Sequence, residues 1–151
     1  QNGGVYVTPG FTGFGDEAAA QVSAVAHQFL AASPSAKFVL ACGSMGGFVC
    51  HRLAKDPAIA PRLSGVLFMG SFPDDGFSAS AAVKRGVPVF IGHGSNDKTS
   101  PLAAMEAFAA KLRASMGPSN VMIHRFNTGS HGTPIRMTDW RLVLNWMLAK
   151  N

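Results

Sequence analysis

The sequence predicts an α/β protein, a three-layer α/β/α sandwich built on a mainly parallel sheet of about five strands. Short apolar runs of strand length alternate along the chain with stretches in which apolar residues recur at helical spacing. The run 63–69 is almost wholly apolar, as in strands that are covered on both faces. Because strands that alternate with helices are joined by right-handed crossovers, we expect neighbouring strands to be parallel.

The predicted elements follow one another in a regular order. The strands are predicted at 5–7, 38–42, 63–69, 87–91 and 121–126. Helices are predicted at 16–30, 45–54, 78–84, 101–113 and 138–149. Apolar residues at i, i+3, i+4 and i+7 mark the first of these helices, and Ser100 and Pro101 give the fourth a start signal.

Length and composition predict one globular domain over residues 1–151. Hydrophobic residues make up 47% of the sequence and charged residues 14%, so we expect a packed, soluble protein without a membrane span. The net charge of +5 comes from scattered Lys and Arg, so nucleic acid is not an expected partner. The chain begins with Gln1 and shows no signal-like segment, which suggests processing or trimming and leaves the compartment open, cytoplasmic or exported.

Two cysteines, Cys42 and Cys50, flank a glycine-rich stretch. If Cys42 ends a strand and Cys50 lies on the following helix, their Cα atoms are expected to lie beyond the roughly 7 Å that a disulfide allows. We therefore expect two buried free thiols.

The same stretch contains a serine at a predicted strand end. Residues 42–46 read Cys-Gly-Ser-Met-Gly, which matches the G-x-S-x-G nucleophile elbow except that Cys42 replaces the first glycine. Such an elbow exposes the serine, here Ser44, at the carboxyl end of a sheet, where ligands of open parallel sheets bind. Alone, the pattern is equally typical of a tight strand-to-helix packing turn.

An acid and a histidine follow two later strand ends. Asp97 comes after the fourth predicted strand and His131 after the fifth, in the order Ser, Asp, His of the α/β-hydrolase triad. Each residue also has a structural reading, because Asp97 could cap its own turn and His131 the last helix. Asp74 and Asp75 are the alternative acids. The other histidines fit structural roles better and form no metal-ligand spacing: His27, His51, His93 and His124.

Taken together, these motifs make the chain resemble an α/β-hydrolase of the uncapped esterase or lipase-like kind, over nearly its whole length. The resemblance implies Ser44 as nucleophile, Asp97 as acid and His131 as base. It also implies an oxyanion hole made by the backbone N–H groups of Met45 and Phe11, since residues 8–11 stand where the family carries its oxyanion loop. The family fold usually has eight strands, so the amino-terminal strands are expected to be absent here.

The expected function is that of a serine hydrolase that cleaves short-chain carboxylic esters through an acyl-enzyme, with no cofactor and no metal. The segment 70–86 is too short for a lid, and Phe14, Phe72 and Phe77 are expected to line an open apolar site together with the oxyanion residues. The alternatives are an acyltransferase or thioesterase that uses the same residues, and a non-catalytic binding module. No P-loop or dinucleotide fingerprint follows the first strand.

The strand 5–7 is expected to lie beside the elbow strand with an unpaired outer edge. We expect a homodimer or a missing amino-terminal segment to cover that edge. The helix 16–30 could also cover part of it.

Overall fold

The computed structural model describes residues 4–10, 12–13, 15–71 and 75–150, and it has a sheet of four parallel strands. The strands are β1 (Phe38–Gly43), β2 (Leu63–Met69), β3 (Val89–Gly94) and β4 (Val121–Phe126). They lie side by side in chain order, and every neighbouring pair is parallel. This confirms the predicted α/β class, with one strand fewer than the sequence suggested.

Helices cover both faces of the sheet and complete the predicted three layers. They are α1 (Asp16–Ala32), α2 (Gly46–Leu53), α3 (Ala81–Lys84), α4 (Leu102–Met116), α5 (Thr133–Met137) and α6 (Trp140–Leu148). Helices α1 to α4 share one hydrophobic core with the sheet. Helices α2, α3 and α4 lie in the crossovers between consecutive strands, and crossovers of one hand between strands in chain order all pass on the same side. On the other face Val143 and Met147 of α6 pack on Leu67 and Phe90.

The prediction of a strand at residues 5–7 is wrong. Residues 4–10 adopt no regular secondary structure, and Val5 and Tyr6 are 80% and 79% exposed. Three residues of high β propensity form a strand only when a neighbouring strand accepts their backbone hydrogen bonds and buries their side chains. Within the described residues, β1 is therefore one edge of the sheet, and the expectation of a strand outside it is corrected.

The predicted strands 63–69 and 87–91 correspond to β2 and β3, and the prediction was more accurate for β2 than for β3. Strand β2 has the predicted bounds, and all seven of its residues are buried. Strand β3 begins two residues later than predicted and continues through Gly92, His93 and Gly94, which pair with β4. The apolar run alone did not reveal this extension, because Gly and His interrupt it.

None of the helices in the described part of the chain is long and apolar enough to cross a membrane.

The expectation of two free thiols is also wrong, because Cys42 and Cys50 form a disulfide. Their Cα atoms lie 6.2 Å apart, within the range that a disulfide permits. The chain reverses so sharply between β1 and α2 that the second turn of α2 comes back over the end of the strand. The disulfide thus encloses the turn that carries Ser44.

The double variant Cys42→Ala/Cys50→Ala is expected to lose about 2–3 kcal/mol of unfolding free energy, the value for cross-linking a loop of this length. Both cysteines are buried, at 1% and 6% exposure, so the deletion also leaves small voids. Urea unfolding of the oxidised wild type and the double variant measures the difference. A thiol assay in denaturant that finds two free thiols in unreduced wild type would contradict the disulfide itself.

Candidate active site

Ser44 directly follows β1 and has an unusual backbone conformation. Its φ is +48°, in the left-handed region that residues other than glycine rarely adopt. Two hydrogen bonds connect this turn to residues at and just after the end of β2. The Ser44 N–H donates to the Met69 carbonyl (3.1 Å), and the Ser71 hydroxyl donates to the Ser44 carbonyl (2.8 Å). The strained turn is thus held at both the N–H and the carbonyl of Ser44, which fixes the backbone from which the serine side chain projects.

Asp97 lies in the loop after β3, and its side chain is fully buried. One carboxylate oxygen, Oδ1, accepts hydrogen bonds from the N–H groups of Thr99 (2.8 Å) and Ser100 (3.0 Å). The other, Oδ2, lies 2.7 Å from Nδ1 of His131. Burial by itself raises the pKa of Asp97, but the hydrogen bonds from Ser100, His131 and Thr99 outweigh it and hold the pKa below the usual range. The carboxylate is therefore ionised at neutral pH.

His131 lies in the loop after β4 and joins the other two residues. Its Nδ1–H donates to Asp97, so Nε2 is the acceptor that faces the Ser44 hydroxyl at 2.7 Å. The imidazole is 27% exposed, while the acid behind it is sealed from solvent. The structure thus brings all three predicted residues into one hydrogen-bonded chain, Ser44–His131–Asp97.

The loops that carry Asp97 and His131 are joined by backbone hydrogen bonds and by close packing. The Asn96 N–H donates to the Gly129 carbonyl (2.9 Å). A Cβ at Gly94 would lie 2.5 Å from the carbonyl oxygen of Ser130, and one at Gly70 would lie 2.6 Å from that of His131. Only glycine permits these approaches, because Cβ contacts under 3.0 Å are essentially never observed. The position of His131 therefore depends on the ends of both β2 and β3.

The predicted wall residue Phe77 is not at the site. Its side chain is fully buried and packs against Phe68, Phe108 and His51, with ring centroids 5.1 to 6.0 Å apart. The 3₁₀ turn Asp75–Ala79 places this ring in the core beneath the sheet, so the expectation that Phe77 contacts a substrate is corrected. Phe11, Phe14, Phe72 and the alternative acid Asp74 lie outside the described residues.

Met45, the other predicted oxyanion residue, directly follows Ser44 and is 43% exposed. Three of the remaining histidines contact residues other than Ser44, Asp97 and His131. His27 lies 3.1 Å from Asp56, His51 sits among aromatic rings, and His124 lies against Phe126. Among residues 4–10, 12–13, 15–71 and 75–150, no group of acidic, His and Cys side chains could hold a metal ion.

Two residues at the site were missed by sequence reasoning. Ser71 was overlooked because a single serine after a strand carries no motif, although it follows the same strand end as Gly70. Ile135 was overlooked because the short helix α5 was not predicted. Its side chain packs against Gly43, next to Ser44, and remains 43% exposed. It places an apolar surface beside the elbow.

A parallel sheet with a serine elbow and with an acid and a histidine at two further strand ends is the α/β-hydrolase fold. Among solved structures, a thermostable esterase is similar to this chain with a TM-score of 0.71 and 14% identity, over 89% of this chain and 36% of its own. An alpha-beta serine hydrolase homologue from Coxiella burnetii is similar with a TM-score of 0.62 and 18% identity, over 97% of this chain and 64% of its own.

Acyl-protein thioesterase 2 from Zea mays gives a TM-score of 0.60 and 20% identity, over 87% of this chain and 63% of its own. The chain thus spans between 36% and 64% of the length of these three proteins. The sequence matches no protein-family model and no curated protein. At these identities the similarity establishes the fold.

Proposed function

We propose that the protein is a serine hydrolase that cleaves carboxylic esters, with Ser44, His131 and Asp97 as its catalytic triad. The observation that carries this proposal is the hydrogen-bonded chain itself, with 2.7 Å from Ser44 Oγ to His131 Nε2 and 2.7 Å from His131 Nδ1 to Asp97 Oδ2. These distances and the order of the groups are those that a serine nucleophile, its base and an orienting acid require.

The proposed reaction begins when His131 Nε2 takes the proton of the Ser44 hydroxyl as Oγ attacks the ester carbonyl carbon. The buried Asp97 carboxylate stabilises the imidazolium that forms. His131 then gives the proton to the departing alkoxide, which leaves as the alcohol, and the acyl group stays on Ser44. A water molecule that loses its proton to His131 releases the acid and restores the serine. The reaction as written needs no cofactor and no metal.

An oxyanion hole completes the proposed mechanism. The backbone N–H of Met45 is assigned as one donor, because in this type of elbow the residue after the nucleophile supplies it. Phe11 is assigned as the second donor from the position of its loop in the sequence. Each donor is expected to stabilise the transition state by about 3 kcal/mol.

The proposal is tested with p-nitrophenyl butyrate and a fluorophosphonate probe. We expect ester turnover and labelling of one serine per chain, located at Ser44 by mass spectrometry. Ser115→Ala is the matched control, because Ser115 is an exposed serine of α4 whose hydroxyl donates to the Lys111 carbonyl of the same helix. No turnover together with no label on Ser44 would overturn the proposal and favour a binding module.

A thioester is the second candidate substrate, and the similarity to the Zea mays thioesterase favours it. The same triad would attack a thioester carbonyl, with a thiol as leaving group. Comparing kcat/KM for a butyryl thioester and a butyrate ester separates the two substrates. Adding an alcohol acceptor and measuring the new ester tests acyl transfer.

Short acyl chains are expected to be the better substrates, with kcat/KM for a four-carbon ester about tenfold above that for a twelve-carbon ester. The described part of the segment between β2 and β3 forms a 3₁₀ turn and α3, and Phe77, Ala82 and Val83 of these elements are buried in the core. Among the described residues, the exposed apolar side chains at the elbow include Met45 and Ile135. A series of p-nitrophenyl esters measures the preference, and a maximum beyond about twelve carbons would contradict it.

A further inference from the structure

His93, near the end of β3, lies directly behind Asp97. Its side chain is fully buried, and Nε2 lies 2.8 Å from the Ser100 carbonyl oxygen. Because a carbonyl only accepts hydrogen bonds, the ring proton must be on Nε2. The same nitrogen is 3.7 Å from Oδ2 of Asp97, the oxygen that bonds to His131.

The opposite ring nitrogen of His93 is buried as well. Nδ1 of His93 is buried and has no hydrogen-bond partner among the described residues. A buried polar atom without a partner costs free energy, and an apolar side chain would avoid that cost. A histidine at this position therefore indicates that the contact made by Nε2 matters.

The Nε2 contact acts on the residue that orients the acid. Ser100 accepts a hydrogen bond from His93 through its carbonyl and donates one to Asp97 Oδ1 through its N–H. The carbonyl and the N–H of Ser100 flank the same Cα, so a hydrogen bond to the carbonyl restrains the backbone of Ser100 and with it the N–H that points at the carboxylate. With Oδ1 held by the loop, Oδ2 is left to His131.

We propose that His93 is a positioning residue, which holds Ser100 so that the Asp97 carboxylate stays aligned with His131. This inference rests on the proposed function for its effect on turnover. Its effect on the Asp97 carboxyl group does not depend on any activity, because the contacts from His93 through Ser100 to Asp97 exist without substrate.

The test compares His93→Gln with His93→Asn. Both introduce an amide, but only the glutamine side chain is long enough to place its N–H near the position of Nε2. We expect His93→Asn to lower kcat about 30-fold with KM within about twofold, since small misplacements of catalytic groups reduce rates by such factors. We expect His93→Gln to stay within about fivefold of wild type. His124→Leu, an exposed histidine on the neighbouring strand, is the control.

A second measurement is the titration of the Asp97 carboxyl carbon by NMR, assigned with Asp97→Asn. Within the part of the chain that the structure describes, His93 and His131 are the titratable groups paired with this carboxylate. In His93→Asn we expect the pKa of Asp97 to rise, because a loosened Ser100 N–H bond no longer offsets burial. In His93→Gln we expect the titration to remain as in wild type. If wild type shows no ester turnover, the proposed function fails while this titration still tests the inference.

The proposal is overturned if His93→Asn keeps both kcat and the Asp97 titration of wild type, or if both variants change them equally. Should His93→Asn not fold, His93→Leu replaces it in the same two measurements. If neither of these folds while His93→Gln does, His93 has a purely structural role and the proposal is wrong.

Discussion

Replacing Ser44 or His131 by alanine is expected to lower kcat for a short-chain ester by at least about 10³-fold. Ser44→Ala removes the proposed nucleophile, and His131→Ala removes the proposed base, whose Nε2 lies 2.7 Å from the Ser44 hydroxyl. Because the two act as one unit, the double variant should be no slower than either single variant by more than a small factor. Stopped and continuous assays of p-nitrophenyl ester cleavage measure the loss.

His27→Ala is a suitable control for this experiment, because His27 lies on α1 and contacts Asp56 rather than the proposed triad. It should retain wild-type kcat. Fluorophosphonate labelling should disappear in Ser44→Ala and persist in the control. Near-normal turnover in purified Ser44→Ala, with contaminating esterases excluded by an active-site titration, would rule out the mechanism.

Asp97→Asn is expected to lower kcat about 10²-fold or more. The carboxylate accepts the Nδ1–H of His131 at 2.7 Å, which leaves Nε2 free to accept the serine proton. An asparagine amide can instead donate to Nδ1, and the imidazole then carries its proton on Nε2, where it cannot act as a base. A Michaelis–Menten comparison at neutral pH measures the loss, and wild-type kcat in Asp97→Asn would contradict the assigned role.

The same substitution is expected to change how stability depends on pH. The pKa of Asp97 is lowered in the folded state, so its ionised form stabilises the protein above the ordinary carboxyl pKa of about 3.9. That stabilisation is lost as the pH falls through the ordinary value towards the folded-state value. Urea unfolding between pH 6 and pH 3 should therefore show a smaller acid loss in Asp97→Asn than in wild type. Asp16→Asn, an exposed carboxylate on α1, is the control.

The fold could be read from the sequence wherever an element carries its own pattern. Strand β2 is almost wholly apolar and β4 lies between clear breaks, and both have the predicted bounds. The strand at 5–7 was predicted wrongly because a strand of three residues needs a partner, which local propensity cannot supply. The disulfide was missed because its Cα separation is set by the sharpness of the elbow, a tertiary property.

The candidate site was predictable in its residues and less so in its surroundings. Ser44, Asp97 and His131 were identified because parallel strands present their carboxyl ends at one edge, so that distant loops meet. Their catalytic roles remain predictions. Phe77 was assigned wrongly because position after a strand does not tell whether a ring points to the site or to the core. Ser71 and His93 act through single hydrogen bonds, which leave no spacing pattern in a sequence.

The left-handed backbone at Ser44 means that a serine at this position is expected to lower the stability of the fold relative to a glycine. At φ +48° any side chain larger than that of glycine costs roughly 1–2 kcal/mol, and the fold retains this conformation against that cost. A directed-evolution screen that selects only for heat resistance would favour glycine at this position and discard the proposed nucleophile without any sign of damage to the fold. Engineering of this scaffold therefore has to select for turnover and thermostability together.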